Sequence, residues 1–118
     1  RKWYAKAAAQ GQAKAQFGLG TLYFNGEGGP KDYPQALKWF RLLANQKEAL
    51  AQTKLGIMYD DGEGVPKDKV KAYMWISLAA TNGDKSAPML RDILAKGMTE
   101  AQIKKAKKLA SEWEPEGQ

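Results

Sequence analysis

The sequence contains neither cysteine nor histidine. That removes disulfide frameworks, zinc fingers, Cys-His nucleophiles and Ser-His-Asp triads together. The lack of cysteine assigns no redox compartment, because cysteine-free proteins occur on both sides of a membrane. Long apolar runs are also missing, and none approaches the ~20 residues of a membrane span. No Met opens the chain and no signal-like segment follows Arg1, so the start is expected to be that of a processed protein or an excised fragment. Catalysis without histidine or cysteine would rest on a lysine base or on paired carboxylates such as Asp60 with Asp61. Adjacent residues on a helix point about 100° apart and do not converge on one substrate. The expectation is a non-enzyme without cofactor or metal, a carboxylate-based hydrolase being the remote alternative.

At 118 residues the chain is one domain's worth, and a compact fold of that size buries roughly 65% of its unfolded surface. The formal net charge is +6. Lys104, Lys105, Lys107 and Lys108 crowd one segment in which Ile103, Ala106, Leu109, Ala110 and Trp113 recur at helical spacing. Those lysines are expected to be the wet face of an amphipathic helix. The alternative, a basic module binding nucleic acid or an anionic membrane through this helix, lacks the aromatic or arginine platform that single-strand binders use.

Two Gly-rich loops draw attention, residues 26–32 and 62–68, both of the form GEGxPKD. Phosphate loops of the Walker type end in Gly-Lys-Ser/Thr, and neither loop has a Gly-Lys pair. A calcium hand starting at Asp60 or Asp61 needs a glutamate eleven positions on, where Lys71 and Ala72 stand. The loops are therefore read as joints.

Their spacing explains them. Residues 15–50 align with 51–86 without a gap, and 15 of the 36 positions are identical. The identities include Ala15 with Ala51, Leu19-Gly20 with Leu55-Gly56, Tyr23 with Tyr59, Trp39 with Trp75 and Ala44 with Ala80. The same register places Trp3 on Trp39 and Ala8 on Ala44, so residues 1–14 read as the second half of an earlier repeat. A recurring unit of this length marks a solenoid.

Each repeat reads as two helices around the Gly-rich loop. Ala15, Leu19, Leu22 and Tyr23 share one helical face over residues 13–25, with Gly26 as C-cap. Asp32, followed by Pro34 and Gln35, is an N-cap signal for a second helix that ends near residue 46. The next repeat predicts helices over 48–61 and 69–82. Residues 87–118 then depart from the pattern: Asp92 stands where Gly20 and Gly56 did, the loop shrinks to Lys96-Gly97, and Thr99 with Gln102 forms a fresh capping box before a helix over 100–112. This unit reads as a degenerate repeat and terminal cap, the whole chain forming a single domain.

The run Leu55-Gly56, Tyr59, Gly62-Glu63-Gly64-Val65, Asp68, Ala72, Trp75-Ile76 and Ala79-Ala80 resembles the Sel1-like repeat family. The resemblance spans about residues 1–87. Gly29 departs from the usual valine, Leu43 from the first alanine and Lys47 from the glycine between repeats, the last leaving the shape of that turn open. It implies an all-α, right-handed α/α superhelix similar to tetratricopeptide arrays. Gly20 and Gly56 are expected at close helix crossings, with Trp39 and Trp75 between successive pairs.

The resemblance further implies an interaction scaffold that holds a protein or peptide in a concave groove lined by first helices. Carried onto this chain, the groove positions are Phe17, Thr21, Phe24 and Asn25, then Thr53, Ile57, Asp60 and Asp61, with Met89 and Ile93 beyond. Phe17 and Phe24 are the expected aromatic anchors. A monomer is expected, apart from self-association through the opening helix, and the compartment stays open between bacterial envelope and cytoplasm.

Overall fold

A computed structural model describes residues 2–115. Arg1, which opens the first partial unit, and residues 116–118, which close the terminal unit, lie outside them. The described residues form helices and no strand: α1 (Lys2–Ala9), α2 (Ala13–Asn25), α3 (Tyr33–Asn45), α4 (Ala49–Asp61), α5 (Lys69–Thr81), α6 (Ala87–Ala95) and α7 (Glu100–Glu112). Gly26 and Gly62 end α2 and α4 at φ 71° and 72°, donating their N–H groups to the carbonyls of Leu22 and Met58. Asp32 and Asp68 start α3 and α5 by accepting from the N–H groups of Gln35 and Lys71 at 3.1 and 3.0 Å. Thr99 and Gln102 start α7 with the reciprocal capping box, at 3.1 and 2.9 Å.

From α1 to α6 each helix packs on the next in the chain. The two expected close crossings are present, and Gly18 adds a third against Tyr4 of α1. A Cβ on Gly20 would lie 2.9 Å from Phe40 of α3, and one on Gly56 would lie 2.6 Å from Ile76 and 3.1 Å from the Ala72 carbonyl oxygen of α5. Trp39 packs over Ala7 and Ala8 of α1 and Ala15 and Leu19 of α2, spanning successive pairs. The largest core, around Leu43, Leu55, Ala72 and Ile76, joins α3 through α7.

The turns between repeats are built alike. Gly11, Lys47 and Gly83 stand 36 residues apart and take φ of 83°, 64° and 107°. The turn at Lys47 thus keeps the glycine conformation although a lysine occupies it. Beside the first two turns a buried glutamine locks the start of the following helix, Gln16 Nε2 donating to the Ala8 carbonyl at 3.2 Å and Gln52 Nε2 to the Ala44 carbonyl at 3.1 Å.

The Gly-rich loop is a joint in the same physical sense. Gly64, at φ 76°, lies so near Tyr33 that a Cβ there would come within 2.9 Å of it. The Tyr33 hydroxyl donates to Glu63 at 3.0 Å. That bond first, then desolvation and the charges of Glu63 and Asp61, raises the phenol above its ordinary value of 10.0.

The last helix changes the pattern. α7 packs chiefly on α5, with Trp113 edge-on to Trp75 at 5.6 Å between ring centres. Ala106 is buried at this contact while Lys104, Lys105, Lys107 and Lys108 face solvent, so the lysine segment is a wet helical face.

Candidate interaction site

The first helices α2, α4 and α6 carry every expected groove residue, but their side chains have different fates. Phe17 is half-buried, its ring tilted against Phe40 at 5.6 Å. It lines a hollow of about 420 Å³ between α2, α3 and α4, together with Leu43, Leu50 and Ala51. Lys14 and Glu48 also line this apolar space, and Leu50 is 61% exposed.

One repeat later the same position is closed. Thr53, the counterpart of Phe17, is buried and donates its hydroxyl to Asp84. Asp84 also accepts from the Ser86 N–H at 2.9 Å and the Ser86 hydroxyl at 2.7 Å. Burial alone pushes the Asp84 carboxyl up, and the bonds from Thr53 and then Ser86 outweigh it, holding the carboxyl below its ordinary value of 3.8. The expectation that Thr53 faces a groove is therefore corrected: its partner stands 31 residues away, at the next joint. Glu48 and Leu50 hold the corresponding places at the Lys47 joint, where a phenylalanine and a leucine cannot form such a network.

A second alternation follows at the other end of the helices. The Phe24 ring packs on Tyr33 at 5.4 Å and Phe40 at 6.5 Å, with the Lys54 ammonium 5.7 Å above it. Phe24 is thus a half-buried member of an aromatic cluster. Asp60 and Lys69, the counterparts of Phe24 and Tyr33, form an ion pair at 3.1 Å instead. An ion pair fills less space than two rings, and a hollow of about 230 Å³ remains, lined by Ile57, Asp60, Lys69, Leu90 and Ile93.

Thr21 turns back on its own helix, donating to the Phe17 carbonyl at 2.9 Å. Asn25 and Asp61 are exposed. Asp60, half-buried against Lys69, and solvent-facing Asp61 lie in unlike surroundings. Met89 and Ile93 are 70% and 58% exposed on α6. Sequence reasoning missed Leu43, Leu50 and Leu90. Leu50 had a signal: it is apolar where the neighbouring repeats carry Lys14 and Ser86.

A chain so built has close likenesses among solved structures. It aligns at 39% identity and a TM-score of 0.87 with a protective antigen present in uropathogenic Escherichia coli strains displaying an SLR fold, over 92% of this chain and 24% of that one. It aligns at 40% identity and a TM-score of 0.73 with a Sel1 repeat protein from Oxalobacter formigenes, over 81% of this chain and 40% of that one. The chain therefore spans about a quarter and two fifths of the lengths of these two proteins. Among curated proteins, none matches it. The Sel1 repeat model matches residues 1–12, 13–48 and 49–84, the segments that contain α1, the α2–α3 pair and the α4–α5 pair. With that match over most of its length, and with glycine crossings, capped loops and 36-residue joints in register, the chain is an α/α solenoid that belongs to the Sel1 repeat family.

Proposed function

We propose that this chain is an interaction module that holds a segment of a partner protein along the face of α2, α4 and α6. The observation that carries this reading is the split between repeat positions. Among positions that agree, Ala15, Leu19, Gly20, Ala36 and Ala44 are buried, as are Ala51, Leu55, Gly56 and Ala72 one repeat later, whereas the variable Leu50, Met89 and Ile93 leave apolar side chains 61%, 70% and 58% exposed on the first helices. Two hollows flank them, and such recesses take side-chain anchors of a bound segment. Phe17, Leu50, Ile57 and Ile93 are the proposed contacts, with Asn25, Asp61 and the Asp60–Lys69 pair as a polar rim. Thr21 and Phe24 support these contacts through packing, and Thr53 plays no part.

The module needs no chemistry of its own. Asp32 and Asp68 cap helices, Asp60 pairs with Lys69 and Asp84 binds Thr53 and Ser86, which suits a scaffold better than a catalyst. Affinity capture with the wild-type chain and with a Leu50→Glu/Ile93→Glu variant tests the reading. A partner retained by the first and lost by the second, with equal helicity in both, supports it. Equal retention by both places binding on another surface.

A further inference from the structure

A further recess lies away from that face, and the repeat register explains its origin. Leu19 and Leu55 are buried at one core position and Gly20 and Gly56 sit at the close crossing. In the third unit Arg91 and Asp92 hold those two places. Charged side chains cannot pack there, α7 settles on α5, and a cleft of about 580 Å³ opens between α5, α6 and α7. That volume is within the range of small-molecule sites.

Its lining is chemically uneven. Arg91 and Lys107 both reach it, and among the described residues neither forms an ion pair. Thr81 and Ser111 have already given their hydroxyl protons to the carbonyls of Ser77 and Lys108, at 3.2 and 2.8 Å. The Ser77 hydroxyl is buried with no partner, although buried polar groups normally have one. Two cations and one carboxylate, Asp92, line the cleft. The cations suit an oxyanion, and Asp92 suits a hydroxyl that donates to it.

From this arrangement we propose that the cleft between α5, α6 and α7 is a binding site for a small hydroxylated oxyanion, a sugar phosphate or a hydroxycarboxylate. Arg91 and Lys107 hold the anionic end, and Asp92 accepts from a ligand hydroxyl. The site belongs to the degenerate unit alone, because the regular repeats fill the same position with leucine and glycine.

Titrating the full ¹⁵N-labelled chain with glucose 6-phosphate and, separately, with citrate tests this at fixed ionic strength, sodium chloride serving as the control. Saturable shifts of the Ser77, Arg91 and Ser111 amides are expected with at least one of the two, and the responding probe tells phosphate from carboxylate. Arg91→Leu, which restores the residue of the earlier repeats, is expected to weaken binding by roughly tenfold or more. Should that variant fold poorly, the exposed Lys107→Ala serves in its place and is expected to weaken binding several-fold, with Lys104→Ala unchanged. Absence of saturation with both probes overturns the proposal. So do equal affinities in wild type and Lys107→Ala, or shifts confined to the exposed lysine face of α7.

Discussion

Lys47 holds a φ of 64° where its counterparts are glycines, and that single backbone angle gives the plainest test of how the joints work. A left-handed conformation costs an L-residue about 1–2 kcal/mol, while glycine loses about 0.5–1 kcal/mol in chain entropy. Lys47→Gly is thus expected to stabilise the chain by roughly 0.5–1 kcal/mol, read from urea unfolding. Gly83→Ala, whose new Cβ would meet nothing within 4 Å, should destabilise by about 1 kcal/mol through backbone strain alone. At Gly56 the penalty has another origin, because Ile76 and the Ala72 carbonyl occupy the space. Gly56→Leu is expected to cost about 1–3 kcal/mol or more, whereas Lys104→Ala leaves the melting temperature unchanged. Asp84 adds a pH dependence of definite sign. Its folded carboxyl lies below 3.8, so its contribution is complete above that value and is lost as pH falls through the lower folded value. Asp84→Asn should therefore flatten the acid side of the stability profile, and an unchanged profile would remove Asp84 from the account. These residues differ in how far the sequence reveals them. Gly56 was legible because two repeats agree there. The Thr53–Asp84 pair was not, because the joint that brings the two together lies between repeats and no local pattern links them.

At the scale of single helices, the bounds of α2 and α7 follow from capping residues that sit beside them in sequence, Gly26 for one and Thr99 with Gln102 for the other. Local chemistry of that kind is readable without a structure. What helices meet is less so. Phe24 reads as a groove anchor on its own helix, yet Tyr33 and Phe40 come round from α3 to enclose it. Phe24→Ala is accordingly expected to lower stability by about 2 kcal/mol, less than the 3–5 kcal/mol of a fully buried phenylalanine, as measured by thermal or urea unfolding. A stability equal to wild type would return Phe24 to the groove. The 62–68 loop makes a complementary case: Glu63 and Gly64 are engaged by Tyr33, and Asp68 by the α5 N-terminus. Calcium or nucleotide should leave the melting temperature unmoved, where a ligand at a hundred times its Kd would add about 2.7 kcal/mol.

For the whole molecule, repeat arithmetic conveyed the solenoid and the neighbour-on-neighbour order of its helices. It did not convey that α7 packs chiefly on α5, since Trp113 finds Trp75 only once the array is assembled. The cleft beside Arg91 follows from that packing and was hidden for the same reason. The ordering of contacts also has a mechanical side. With α1 to α6 each leaning mainly on the adjacent helix, the 45 Å long axis is a row of elastic elements coupled in series. Compliances in series add, so a small rotation at each of the joints around Gly11, Lys47 and Gly83 changes the curvature of the row while the Gly20 and Gly56 crossings inside each helix pair stay in place. Near its far end α7 braces α5 and works as a clamp, which leaves α1, held chiefly by α2, as the free end of the spring.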